Sequence, residues 1–148
     1  MLEKKIAEEL NLSLKSGDKL KLSVCRMIMS EIKNRKIEER TKDHLSDDLT
    51  ISVIRKMVKQ HLESIDQFEK GGRSDLADKE KQELVILEGY LPAQMPEGEV
   101  LVVVEDVVRS TGASSVKDMG RVIKEVMART QGRADGKTVS DMVRKRLN

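Results

Sequence analysis

Positively charged side chains are the residues of this sequence whose number and spacing could do chemistry. Between positions 109 and 148 stand ten of them, Arg109, Lys117, Arg121, Lys124, Arg129, Arg133, Lys137, Arg144, Lys145 and Arg146, against four acids. That stretch carries +6, residues 1–108 carry −4, and the whole chain carries +2. Converging cations are suited to a polyanion, because each phosphate they neutralise releases condensed counterions. At helical spacing Lys117, Arg121 and Lys124 fall in one narrow arc. Lys137 and Arg144 share a second arc with Asp141 between them, and Arg129 and Arg133 flank a turn where Gly132 and Gly136 permit a sharp reversal. These seven are the expected phosphate contacts, with RNA as the polyanion; the alternative for each is an ordinary solvated helix surface. Residues 96–148 contain no Phe, Tyr or Trp. A grip here must therefore use phosphates, hydroxyls and folded shape instead of base stacking, with Arg favoured for its bidentate fork. A smaller group, Lys33, Asn34, Arg35 and Lys36 followed by Glu38 and Glu39, reads as surface pairing at i, i+4.

Catalytic chemistry finds little to work with. His44 falls in a predicted loop. His61 rides the apolar edge of a predicted helix, with no Cys or second His at metal-binding distance in the sequence, and is expected to be packed and hydrogen-bonded. There is no Gly-rich phosphate loop and no nucleophile elbow, and the lone Cys25 lies in a helical stretch where it packs as a small residue. The expectation is a protein without catalytic residues, cofactor or metal. No apolar run nears the roughly 18 residues that span a bilayer, and the opening residues alternate charged with apolar, so no membrane association and a cytoplasmic location are expected.

The elements that must position the cations are helical throughout. With 38% hydrophobic residues, 36% charged ones and almost no aromatics, the vocabulary is that of amphipathic helices. Leu2, Ile6, Leu10 and Leu14 mark a first helix ending at Ser16 and Gly17. Asp18 caps a second, carrying Leu20, Val24, Met27, Ile28 and Ile32 and expected to continue to Asp43. Ser46 caps a third, in which Val53, Ile54, Met57, Val58, His61, Leu62, Ile65 and Phe68 form one face until Gly71 and Gly72. Ser74 opens a fourth. Pro92 and Pro96 in YLPAQMPEGE break the pattern and mark a boundary between residues 1–95 and 96–148. Beyond it EVLVVVEDVVRSTGA is rich enough in valine to suggest a strand, but Val100, Leu101, Val104, Val107 and Val108 follow helical steps, with Pro96 in the first turn and Gly112 at the end. Ser115 and Asp118 resemble a capping box ahead of a sixth helix, and Asp135 caps a seventh. The expected fold is all-α, a four-helix N-terminal unit followed by a smaller three-helix unit.

YLPAQM and DMGRVIKEVMARTQGRADGKTVSDMVRKRL resemble the YqeY family of small helical proteins over the whole chain. The C-terminal portion is also similar to the tail domain of the B subunit of tRNA-dependent amidotransferase, where a helix ending in Gly, Lys or Arg, and Ala precedes a final helix; Gly132, Arg133 and Ala134 occupy those positions. In that enzyme the tail is implicated in holding tRNA while amidation occurs elsewhere. The resemblance implies an all-helical fold and a tRNA or structured-RNA handle without an amidase or kinase-like portion. It also implies two alternatives: an accessory to tRNA-dependent amidation, with glutamine as amido donor and amidotransferase or translation-related proteins as partners, and a protein-interaction module. Asp135 and Gly136 depart from the amide and proline common in the amidotransferase tail.

Overall fold

A computed structural model describes residues 1–148. It contains seven α-helices and no strand: α1 (Leu2–Ser16), α2 (Lys19–Glu38), α3 (Asp47–Lys70), α4 (Ser74–Gly89), α5 (Glu97–Thr111), α6 (Met119–Thr130) and α7 (Gly136–Leu147), with a 3₁₀ turn at Val116–Asp118. Two compact units result, Met1–Leu91 and Pro92–Asn148. The proline-containing segment is tied into the second of them, because the Met95 amide donates to the Arg133 carbonyl at 2.7 Å and Arg133 Nε donates to the Ala93 carbonyl at 3.2 Å.

The first unit buries Ile6, Val24, Ile28, Ile32, Ile54 and Leu87 completely or nearly so around one core. Tyr90 and Cys25 close that core together, with the tyrosine hydroxyl 3.5 Å from the thiol. Burial first, then Cys25 and Glu9, push the Tyr90 hydroxyl well above its ordinary range. Asp18 and Ser46 cap α2 and α3 by accepting from the amides of Lys21 and Leu49, as their position before each apolar run requires. Two details differ from the sequence expectation. Leu14 and Leu62 are exposed. The strict four-residue spacing explains the first, since each such step advances about 400° and carries the stripe about 40° off the buried face; Glu3, Ile6 and Ser13 are the residues α1 buries. The second helix also stops at Glu38 instead of reaching Asp43. Arg40 takes the left-handed conformation at φ 54°, its amide donates to the Ile37 carbonyl, and the Thr41 amide reaches back to the Lys36 carbonyl. This is a Schellman stop with arginine at the position glycine usually fills.

Burying Glu3 is possible because three donors meet it. One carboxylate oxygen is paired with Lys36 Nζ; the other accepts from the Leu45 amide at 2.7 Å and lies 3.1 Å from His44 Nδ1. The start of α1, the end of α2 and the loop before α3 are thereby fastened at one point. Burial raises the carboxyl's affinity for a proton, but the bonds from Lys36, Leu45 and His44 outweigh it and hold its pKa below the ordinary 4.5.

The second unit is built almost wholly on valine: Val100, Val104, Val107, Val108, Val122, Val126, Val139 and Val143, with Leu147 and Ala134. Valine has weak helix propensity, but its side chain is already restricted to essentially one rotamer in a helix and loses little more on packing. The helical assignment of α5 is settled by Val102, which is 68% exposed, whereas a strand would bury it with Val100 and Val104. Leu101, expected on the packed face, is exposed. Pro96 stands at the N-cap of α5 instead of inside its first turn, and Gly112 ends the helix at φ 68°. The expected capping box before α6 is half formed: Ser115 makes no side-chain cap bond, while Asp118 accepts from the Ser114 amide at 3.1 Å. The 3₁₀ turn intervenes, so α6 begins at Met119. Asp135 caps α7 through the Thr138 amide.

Because the Glu3 carboxyl is held below its unfolded value, the stability it contributes is complete above about pH 4.5 and is lost as pH falls through the folded pKa. Glu3→Gln should cost roughly 2 kcal/mol at neutral pH. It should also flatten the acid limb of stability against pH, measured by urea unfolding between pH 3 and 7.

Candidate nucleic-acid interface

The core of the second unit fixes which side chains of α6 and α7 look outward. On α6 the buried positions are Val122, Val126 and Thr130, and Arg121 and Lys124 stand on the reverse face. On α7 the buried positions are Val139, Val143 and Leu147, so Lys137, Asp141, Arg144 and Lys145 face away. The α6 cations and the α7 cations thus sit on the outer faces of two separate helices. Lys117 is not on the α6 stripe, since it belongs to the 3₁₀ turn, where a residue advances about 120° instead of 100°.

The turn between α6 and α7 holds the remaining two. Gln131 and Gly132 reverse the chain with φ 49° and 75°, while Gly136 is already the first helical residue of α7 and contributes no unusual conformation. Arg129 precedes the turn and Arg133 lies within it. Arg133 spends its Nε on the Ala93 carbonyl and keeps the rest of its guanidinium exposed.

Several of the cations meet acids, some at i, i+3 or i, i+4 and two, Arg129 and Arg146, on α5, which sequence spacing did not reveal. Arg129 pairs with Asp106 at 2.8 Å and Glu125 at 3.2 Å, Arg146 with Glu105 at 2.9 Å, and Arg121 with Asp118 at 3.2 Å. Arg109 and Arg144 sit 3.9 Å from Asp106 and Asp141. The Ser114 amide above all, with the Ser115 amide and Arg121, keeps the Asp118 carboxyl below the ordinary value against the opposing effect of burial. Lys117, Lys124, Lys137 and Lys145 are exposed and take part in no ion pair. Counted over Pro92–Asn148, ten basic residues face eight acids, and Met1–Leu91 holds eighteen of each, so the −4 and +6 halves drawn at residue 109 become 0 and +2. Glu97, Glu99, Glu105 and Asp106 of α5 make the difference.

Elsewhere the sequence expectations divide. Arg35 and Glu39 pair at 2.9 Å as surface neighbours, but Lys36 turns inward to Glu3. His61 is buried and hydrogen-bonded, with Nδ1 3.0 Å from the Met57 carbonyl oxygen. No helix is long and apolar enough to cross a membrane.

Residues 3–147 match the family model described as Yqey-like protein. Relatives named "Altered inheritance of mitochondria protein 41, mitochondrial" are similar to this chain. That of Kluyveromyces lactis is 34% identical over 88 residues, 60% of this chain and 47% of the relative. That of Candida glabrata is 34% identical over 86 residues, 58% and 47%. In both cases the match spans about half the relative's length. That of Pyrenophora tritici-repentis is 29% identical over 147 residues, 94% of this chain and 77% of the relative.

If the α5 acids hold down the charge of their neighbours, Asp106→Asn combined with Glu105→Gln should strengthen attraction to a polyanion. The double variant is expected to elute from immobilised heparin at higher salt than the parent. Unchanged elution would mean that those carboxylates screen nothing a polyanion can feel.

Proposed function

The chain belongs to the Yqey-like protein family, and from that premise we propose that it binds tRNA or another structured RNA, without chemistry of its own, through its second unit. The contacts are Lys117, Arg121, Lys124, Arg129, Arg133, Lys137 and Arg144. Lys117, Lys124 and Lys137 lead because they have no carboxylate to give up, whereas Arg121, Arg129 and Arg144 must exchange a surface ion pair for a phosphate. Such an exchange costs little, since exposed pairs are worth about 0–1 kcal/mol. Arg133 can offer its terminal nitrogens while its Nε stays on the Ala93 carbonyl.

The observation that carries the proposal is the set of unpartnered lysines on a unit without a single aromatic residue. Contacts spread over two helix faces and a turn suit a curved, folded backbone better than a straight duplex. The kinship of GRA at positions 132–134 with the amidotransferase tail supports tRNA as the substrate class. The cytoplasm, which holds tRNA, is the compartment proposed. Help to tRNA-dependent amidation by separate catalytic subunits is the more specific role that this kinship suggests.

With about four phosphates engaged, affinity for tRNA in a gel shift should fall roughly 100-fold between 50 and 200 mM salt. The triple variant Lys117→Glu, Lys124→Glu, Lys137→Glu should lose binding at both salts while keeping its helicity. Affinity that ignores salt, or a triple variant that binds like the parent, would sink the proposal. A partner retained after nuclease treatment and at high salt would point to a protein instead.

A further inference from the structure

A second candidate site lies in the first unit and owes nothing to the RNA proposal. His61 on α3 meets Glu80 and Glu83, which stand one turn apart on the same face of α4. Its Nε2 is 2.9 Å from Glu83 Oε2 and 3.3 Å from Glu80 Oε2. Its other nitrogen, Nδ1, is 3.0 Å from the Met57 carbonyl oxygen. A carbonyl only accepts, so Nδ1 carries the hydrogen and donates it. In a neutral ring the Nε2 lone pair then points at two carboxylate oxygens. Lone pair against anion is repulsive, and His61 and Glu83 are both buried, with side chains 11% and 7% exposed. A shared hydrogen or a cation between them removes that repulsion.

A proton on Nε2 would meet the need in part: one N–H can be divided between two oxygens, but it leaves a single positive charge against two carboxylates. A divalent ion meets it fully, because imidazole nitrogen and two carboxylate oxygens total −2. The distances suit such an ion. Bonds of about 2.0–2.1 Å to nitrogen and oxygen in a tetrahedral arrangement place ligand atoms about 3.4 Å apart. Glu80 is already at that separation from His61, Glu83 needs a shift of a few tenths of an ångström, and all three ligand atoms lie within 4.8 Å of one another. The Nδ1–H to backbone carbonyl bond is the outer contact that usually fixes a metal-binding histidine with Nε2 toward the ion. Glu80 is the most exposed of the three at 25%, so a fourth position would open to solvent on its side and take water.

We propose that His61 Nε2, Glu80 and Glu83 form a binding site for a divalent transition-metal ion of the zinc type, bridging α3 to α4. Nitrogen with two carboxylates favours Zn²⁺ or Co²⁺ over Mg²⁺, which prefers oxygen and keeps its water. The ion acts as a clip across the helical hairpin that turns at Gly71 and Gly72.

The test uses the full chain, stripped with a chelator and titrated with Zn²⁺ in a calorimeter while its unfolding temperature is followed. One Zn²⁺ per chain is expected, with a rise in the unfolding temperature. His61→Gln and Glu80→Gln should each weaken binding roughly tenfold or more and remove the rise. His44→Gln, which alters the other histidine, should leave both unchanged. Far-UV circular dichroism establishes that the variants are folded; if His61→Gln is not, the partly exposed position of Glu80 makes Glu80→Gln decisive. Absence of a one-to-one complex in the parent, or a complex that survives unaltered in the folded variants, overturns the proposal.

Discussion

A carboxylate taken out of water must be met by positive charge, and that requirement organises the N-terminal unit. Glu3 is nearly inaccessible, and the fold answers with Lys36 from the end of α2 and with His44 and the Leu45 amide from the loop before α3. The packing of α1 against the end of α2 and the course of the chain into α3 follow from that meeting. Glu83 is the second buried acid, and its answer is of another kind. His61 brings a charge that is conditional on a proton or an ion, so the α3–α4 hairpin has a junction whose strength depends on what solution supplies. Apolar burial holds the unit together, and these two acids tie its helices at two further points.

In the C-terminal unit the same rule works at the surface, where it is weaker and therefore reversible. The valine core leaves α5 beside the basic helices, and Glu105 and Asp106 take up Arg146, Arg129 and part of Arg109. These exposed pairs contribute little to stability. Their importance is to set the resting charge of the surface: several arginines hold a carboxylate, while the lysines at 117, 124, 137 and 145 stay free. A polyphosphate competing for this surface gains the free lysines outright and the arginines by exchange.

Helix identities and caps were legible in the sequence because they follow from local rules. Asp18, Ser46 and Asp135 each precede an apolar run and each accepts the expected amide. What escaped was the part determined by partners distant in sequence. Lys36 reads as one more surface cation until α1 brings Glu3 to it. The acids of α5 read as belonging to the acidic half until the fold joins them to the basic helices. Stops made by Arg40 and Gln131 in left-handed conformations also leave no glycine signature. One signal was available and went unused: in a hairpin turning at Gly72, position 61 is mirrored by position 83, so His61 and Glu83 were due to meet, and Glu80 shares the face of Glu83.

In the proposed RNA complex, positive charge left unmatched by the fold, and not total charge, marks the contact surface. Backbone amide shifts recorded by NMR during titration with tRNA test it most directly. Changes should concentrate around Lys117, Arg121, Lys124, Arg129, Arg133, Lys137 and Arg144, with residues 1–91 quiet. Changes centred on residues 1–91, or none in α6 and α7 at saturating tRNA, would contradict it.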